Sequence, residues 1–123
     1  MLANGSVIGF VPTTDADRAR IFYEKKLGLT FVSDDPFALV FDANGTTIRI
    51  VRVASYAPAA FTILGWNVHD VRECALDLHR NGVEFERYPG LDQDDTGIWT
   101  SPGGTRVAWF KDPDGNVLSI SEG

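Results

Sequence analysis

Some functions are excluded by what this chain of 123 residues has little of. It has one cysteine, Cys74, so no internal disulfide can form, and the chain suits a reducing, cytoplasmic compartment. A lone cysteine on a helical stretch with no patterned histidine nearby reads as a small buried hydrophobe rather than a nucleophile. There are two histidines, His69 and His79, too few for a histidine-rich metal site. Basic residues are scarce: 11 Lys and Arg against 17 Asp and Glu give a net charge of -6, without the basic patch that nucleic-acid binding needs. No apolar run reaches the length of a membrane span, and the first ten residues, MLANGSVIGF, do not have the layout of a signal peptide.

What is present is an ordinary globular composition, 44% hydrophobic and 23% charged, of a size for one domain over 1–123. Apolar β-rich segments at 6–11, 29–34, 37–43 and 46–53 read as strands, and the Asn44-Gly45 pair predicts a tight hairpin. Between the first two lies a helix capped by Thr14 or Asp15, with Ala19, Phe22, Tyr23 and Leu27 at helical spacing and Gly28 as its stop. After an Ala-rich linker at 54–60 the same order returns. A strand at 61–68 precedes a helix at 71–81 capped by Asp70; strands follow at 83–88, 98–101, 105–110 and 117–121.

The chain is therefore an internal repeat. IGFVPTTD (8–15) matches ILGWNVHD (63–70), LGLTF (27–31) matches NGVEF (81–85), and FDANGTTIRI (41–50) matches KDPDGNVLSI (111–120). The modules span about 6–53 and 61–121, each strand–helix–strand–strand–strand, with the short segment at 98–101 additional in the second. Alternation of side chains assigns Val7, Gly9, Val11, Ile48, Ile50, Leu64, Trp66, Val68, Leu118 and Ile120 to the faces under the helices. The opposite faces receive Ile8, Phe10, Thr47, Arg49 and Val51 in the first module. In the second they receive Ile63, Gly65, Asn67, Val117, Ser119 and Ser121. The hairpins are expected to set Leu39 opposite Arg49 and Trp109 opposite Ser119.

FVPTTDADRARIFYEKKLGL and VAWFKDPDGNVLSI, with the duplicated pattern between them, resemble the vicinal oxygen chelate superfamily of glyoxalases, bleomycin-resistance proteins and extradiol dioxygenases. The resemblance covers about residues 6–121. It implies an α+β fold of two βαβββ modules, a curled mixed sheet forming a cup, and a homodimer. In its metal-using members, a histidine in each module's first strand and a carboxylate in each last strand hold a divalent ion. Those places fall here on Ile8, Ile63, Arg49 and Ser119, none a usual ligand. A shift of two residues along each strand brings in Phe10, Gly65, Thr47, Val51, Val117 and Ser121, with no histidine or carboxylate. No metal or other cofactor is expected.

Without the metal, the expected cup is a small-molecule site. Arg49 is its candidate hook for an anionic ligand and Trp109 its wall for an aromatic one. Phe10, Phe37, Leu39 and Phe41 would complete the apolar lining, with Asn67 and Ser119 as polar contacts. Each of these residues reads equally as packing or solvated surface. Trp99 and Tyr88 flank the acidic loop LDQDD, a candidate lip. Asp112 and Asp114 serve the DPDGN turn. No nucleophile–base pair is legible. Three readings stay open: a metal-free small-molecule binder, a lyase, dioxygenase or isomerase with a shifted metal site or metal-free chemistry, and an interaction domain whose cup is filled by its own side chains.

Overall fold

The computed structural model describes all residues, 1–123, as two compact units, Met1–Ala57 and Pro58–Gly123. The fold is α+β, with a four-stranded mixed sheet and one helix in each unit.

In the first unit, a short 3₁₀ turn at Leu2–Asn4 precedes β1 (Ile8–Thr13). The helix α1 (Ala16–Arg20) runs on as a π-helical segment over Ile21–Lys26. Asp15 caps α1, its Oδ1 accepting from the Arg18 amide at 3.1 Å. The strands β2 (Thr30–Asp34), β3 (Ala38–Ala43) and β4 (Thr46–Arg52) follow, in spatial order β1-β4-β3-β2. β1 runs parallel to β4, and the other pairs are antiparallel. Asn44 and Gly45 both take positive φ, 51° and 92°, the two-residue turn that the sequence signals.

The second unit repeats the plan with β5 (Thr62–Asn67), α2 (Val71–Arg80), β6 (Trp99–Thr100), β7 (Arg106–Lys111) and β8 (Val117–Glu122), in order β5-β8-β7-β6. Asp70 caps α2 by accepting from the Glu73 amide at 3.0 Å. Glu122 Oε1 adds a second anchor, accepting from the Val71 amide at 3.1 Å and from Arg106 at 3.0 Å.

The expected strand at 83–88 does not form. Phe85 makes one isolated bridge to Phe110, and the Glu86 amide donates to the Trp109 carbonyl at 2.8 Å. β7 has one free edge, and 85–86 and β6 share it. The first cannot extend because the chain turns away through Pro89 and Gly90, and β6 ends at the turn over Ser101–Thr105.

The core of each unit lies between its helix and one sheet face. In the first it holds Val11, Ala19, Phe22, Tyr23, Leu39, Phe41, Ile48 and Ile50. In the second it holds Val71, Ala75, Leu78, Ala108, Phe110, Leu118 and Ile120. Val7, expected under the helix, precedes β1 and is 76% exposed.

Candidate functional site

The register decides which candidates share a surface. In β3–β4 the two-residue turn pairs Ala43 with Thr46, so Val40, not Leu39, lies opposite Arg49. Leu39 pairs with Ile50 and Phe41 with Ile48. Leu39 and Phe41 therefore point toward the helix and are 1% and 0% exposed, with Phe41 against Tyr23 at a ring distance of 6.1 Å. They are core residues and are withdrawn as ligand lining. Phe37 lies in the β2–β3 loop, largely exposed.

Phe10 and Arg49 do meet, side by side on adjacent parallel strands, on the face turned from the helix. Arg49 is already engaged: its Nη2 lies 3.2 Å from Oδ2 of Asp35. Asp35 Oδ1 accepts from the amides of Phe37 and Ala38, both at 2.8 Å. Those amides, followed by the Arg49 guanidinium, hold the Asp35 carboxyl below its ordinary value of 3.8 against a smaller opposing desolvation.

In the second unit Trp109 lies opposite Ser119, as expected, and Ser119 lies beside Gly65 on β5. The next row along the sheet is Asn67, Ser121, Val107 and Trp99. These rows alternate with the buried Ala108, Phe110, Leu118 and Ile120, so they occupy the face turned from α2. Trp109 is flanked by two aromatics: Trp99 at 6.1 Å between ring centroids, and Tyr88 edge-on at 5.5 Å. Burial, then the Glu86 charge, pushes the Tyr88 phenol above its ordinary value of 10, with Lys111 pulling the other way. The candidate site here is thus an aromatic platform bordered by Asn67, Ser119 and Ser121.

Sequence reasoning named Trp109, Ser119 and Asn67 for this site but treated Tyr88 and Trp99 only as loop flanks. Trp99 was within reach, through its alternation with Thr100. Tyr88 was not, because its position depends on the loop that follows. Side chains knit that loop together. Gln93 Nε2 donates to the carbonyls of Glu86 and Gly97, and its Oε1 accepts from the Tyr88 amide. Asp94 Oδ1 accepts from Thr96 and Ile98 amides and from the Thr96 hydroxyl. The loop fixes Tyr88 beside Trp109 and is a laced support rather than a loose lip.

A groove of about 470 Å³ lies elsewhere in this unit, between α2 and residues 84–96, lined by Leu76, His79, Phe85, Arg87 and Asp95 among others. His79, Arg87 and Asp95 are solvated, and none of the candidate residues lines it.

The four positions that the resemblance assigns to metal ligands do not fit a divalent cation. Ile8 and Ile63 have no donor atom, Arg49 is a cation paired with Asp35, and Ser119 offers one neutral hydroxyl. No group of three or more His, Cys, Asp or Glu side chains is gathered elsewhere.

Comparison with known proteins agrees with the architecture. The sequence profile of the Glyoxalase/Bleomycin resistance protein/Dioxygenase superfamily matches residues 7–120. Among curated proteins none matches significantly. A superfamily member from Sphaerobacter thermophilus DSM 20745 superposes with a TM-score of 0.76 at 22% identity, covering 100% of both chains. Lactoylglutathione lyase from Agrobacterium tumefaciens gives 0.74 at 17% identity, covering 98% of this chain and 94% of its own. TnmS3, an antibiotic binding protein from Streptomyces sp. CB03234, gives 0.73 at 23% identity, covering 99% and 98%. At these identities the likeness is one of fold.

Proposed function

This chain belongs to the glyoxalase/bleomycin resistance protein/dioxygenase superfamily, and we propose that it is a small-molecule-binding member that works without the usual metal. The observation that carries the reading is the aromatic cluster Tyr88–Trp109–Trp99 on a sheet face that also carries Gly65, Asn67, Val107, Ser119 and Ser121. A flat apolar ligand would stack on the indoles, each well-placed ring pair adding about 0.5–1.5 kcal/mol beyond buried area. Ser119, Ser121 and Asn67 would hydrogen-bond its polar edge. A fold neighbour described as an antibiotic binding protein is in keeping with a small-molecule ligand.

The second reading is a lyase, dioxygenase or isomerase, suggested by the lactoylglutathione lyase neighbour. Such chemistry needs a metal or a general base at the site. The face carries no imidazole, and its one neighbouring carboxylate, Glu86 beside Tyr88 and Trp109, is paired with Lys111 at 3.5 Å, which favours the binder. Homodimeric assembly and a cytoplasmic location belong to the same proposal, the first by resemblance and the second from the single cysteine.

The test is a panel of planar aromatic compounds, followed by tryptophan fluorescence and thermal shift. Saturable quenching with a rise in Tm is expected, since ligand at 100 times Kd adds about 2.7 kcal/mol to the native state. Near-stoichiometric retention of zinc, iron, nickel or manganese after dialysis would overturn the metal-free reading and favour the enzyme.

A further inference from the structure

Arg49 sits on β4, between β1 and β3, with Phe10 beside it on one strand and Val40 on the other. Its guanidinium carries five N–H donors, and its one protein partner is the Asp35 carboxylate. The pair is a single contact of 3.2 Å, longer than the 2.7–2.9 Å common for charge-assisted bonds and not the two-pronged arrangement that Arg favours with carboxylate or phosphate. Both side chains remain part-exposed, at 29% and 36%. Solvent and small ions therefore reach the pair.

The two oxygens of Asp35 divide their work. Oδ1 takes the Phe37 and Ala38 amides and builds the turn; Oδ2 takes only Arg49. The loop is held independently as well. Arg52 donates to the Asp35 carbonyl at 2.7 Å and to Asp34 Oδ1 at 2.7 Å, and its own amide donates to the Phe37 carbonyl at 2.9 Å. The Arg49 contact can therefore break without the loop coming apart.

We infer that Arg49 is a binding site for a small carboxylate or phosphate and that Asp35 is its built-in competitor, an internal carboxylate that an incoming anion displaces. The ligand exchanges one long contact for a two-pronged one and rests its apolar part on Phe10, 63% exposed on the neighbouring strand β1. Affinity for the anion is set by the fraction of molecules in which Asp35 has let go. Arg49, Asp35 and Phe10 all belong to the first unit.

Asp35→Asn separates the roles, because the amide keeps an oxygen for the turn and loses the one that holds Arg49. The probes are benzoate and inorganic phosphate, read in every variant by the NMR shifts of the Phe10 and Val40 backbone amides, which flank residue 49 on β1 and β3. Opening an exposed ion pair of ordinary strength should tighten binding of at least one probe roughly fivefold in Asp35→Asn. The gain should vanish in Asp35→Asn/Arg49→Met. Stronger benzoate than phosphate binding would assign the ligand's anion to a carboxylate on an apolar body, and the reverse to a phosphate. Equal affinities in wild type and Asp35→Asn for both probes, or a gain that persists without Arg49, would overturn the inference. Should Asp35→Asn fail to fold, Asp35→Ser, which keeps a turn acceptor, decides by the same comparison.

Discussion

Gly65 and Ser119 lie side by side on the parallel β5–β8 pair, so close that a Cβ on residue 65 would come within 2.7 Å of the Ser119 Oγ. The absent side chain at 65 lets the Ser119 hydroxyl stand over the sheet next to Trp109. Gly65→Ala should drive that hydroxyl into a poorer rotamer at a cost of about 1 kcal/mol. In a Ser119→Ala background the cost should disappear. A double-mutant cycle by urea unfolding measures the coupling, and additive effects would contradict the contact.

The two faces of the first sheet differ in what they carry. Phe41→Ala should cost about 3–5 kcal/mol, since the ring is fully buried against Tyr23 and Phe31. Phe10→Ala should change stability by about 0.5 kcal/mol or less, because that ring is 63% exposed. Comparable losses in chemical denaturation would reverse the face assignment.

Trp109 and Trp66 offer the matching comparison in the second sheet. Trp66 stacks on Phe110 under α2, at 6.5 Å between centroids, while Trp109 stands on the opposite face with Tyr88 and Trp99. For an aromatic ligand, Trp109→Leu should weaken Kd by roughly tenfold. Trp66→Leu should lower Tm and leave Kd unchanged. Calorimetry on both variants distinguishes loss of the platform from general loosening.

Asp94 predicts an acid-sensitive loop. Burial raises its carboxyl, but hydrogen bonds from the Thr96 hydroxyl and the Ile98 and Thr96 amides, with the Arg72 charge, outweigh this and bring it below the ordinary 3.8. A carboxyl whose folded value is depressed stabilises the fold above its unfolded value and loses that contribution as pH falls through the folded value. The stability advantage of wild type over Asp94→Asn should thus be level from pH 7 down to about 4 and disappear below 3.8. An advantage that grows on acidification would contradict the assignment.

Much of this was readable from local signals. Asp15 and Asp70 cap the helices where their spacing from the apolar stripe places them. Asn44-Gly45 makes the tight turn, and Asp112 organises DPDGN, accepting from the Asp114 and Asn116 amides at 2.9 and 3.0 Å. Alternation put Arg49, Ser119, Gly65 and Asn67 on the faces they occupy. The misassigned residues, Leu39 and Phe41, failed by a single step of register, and one step exchanges the faces of a strand. The strand at 83–88 failed because apolar–polar alternation cannot report which edge of a sheet remains free.

The sequence by itself determined the repeat, the caps, the turns and the absence of metal donors at the four expected positions, because each depends on residues near one another or on residue identity alone. The tertiary structure decided the pairing of Arg49 with Asp35 and the meeting of Tyr88, Trp109 and Trp99. Those contacts join side chains from separate segments, and their geometry exists only after the strands have paired and Gln93 has closed the loop that carries Tyr88.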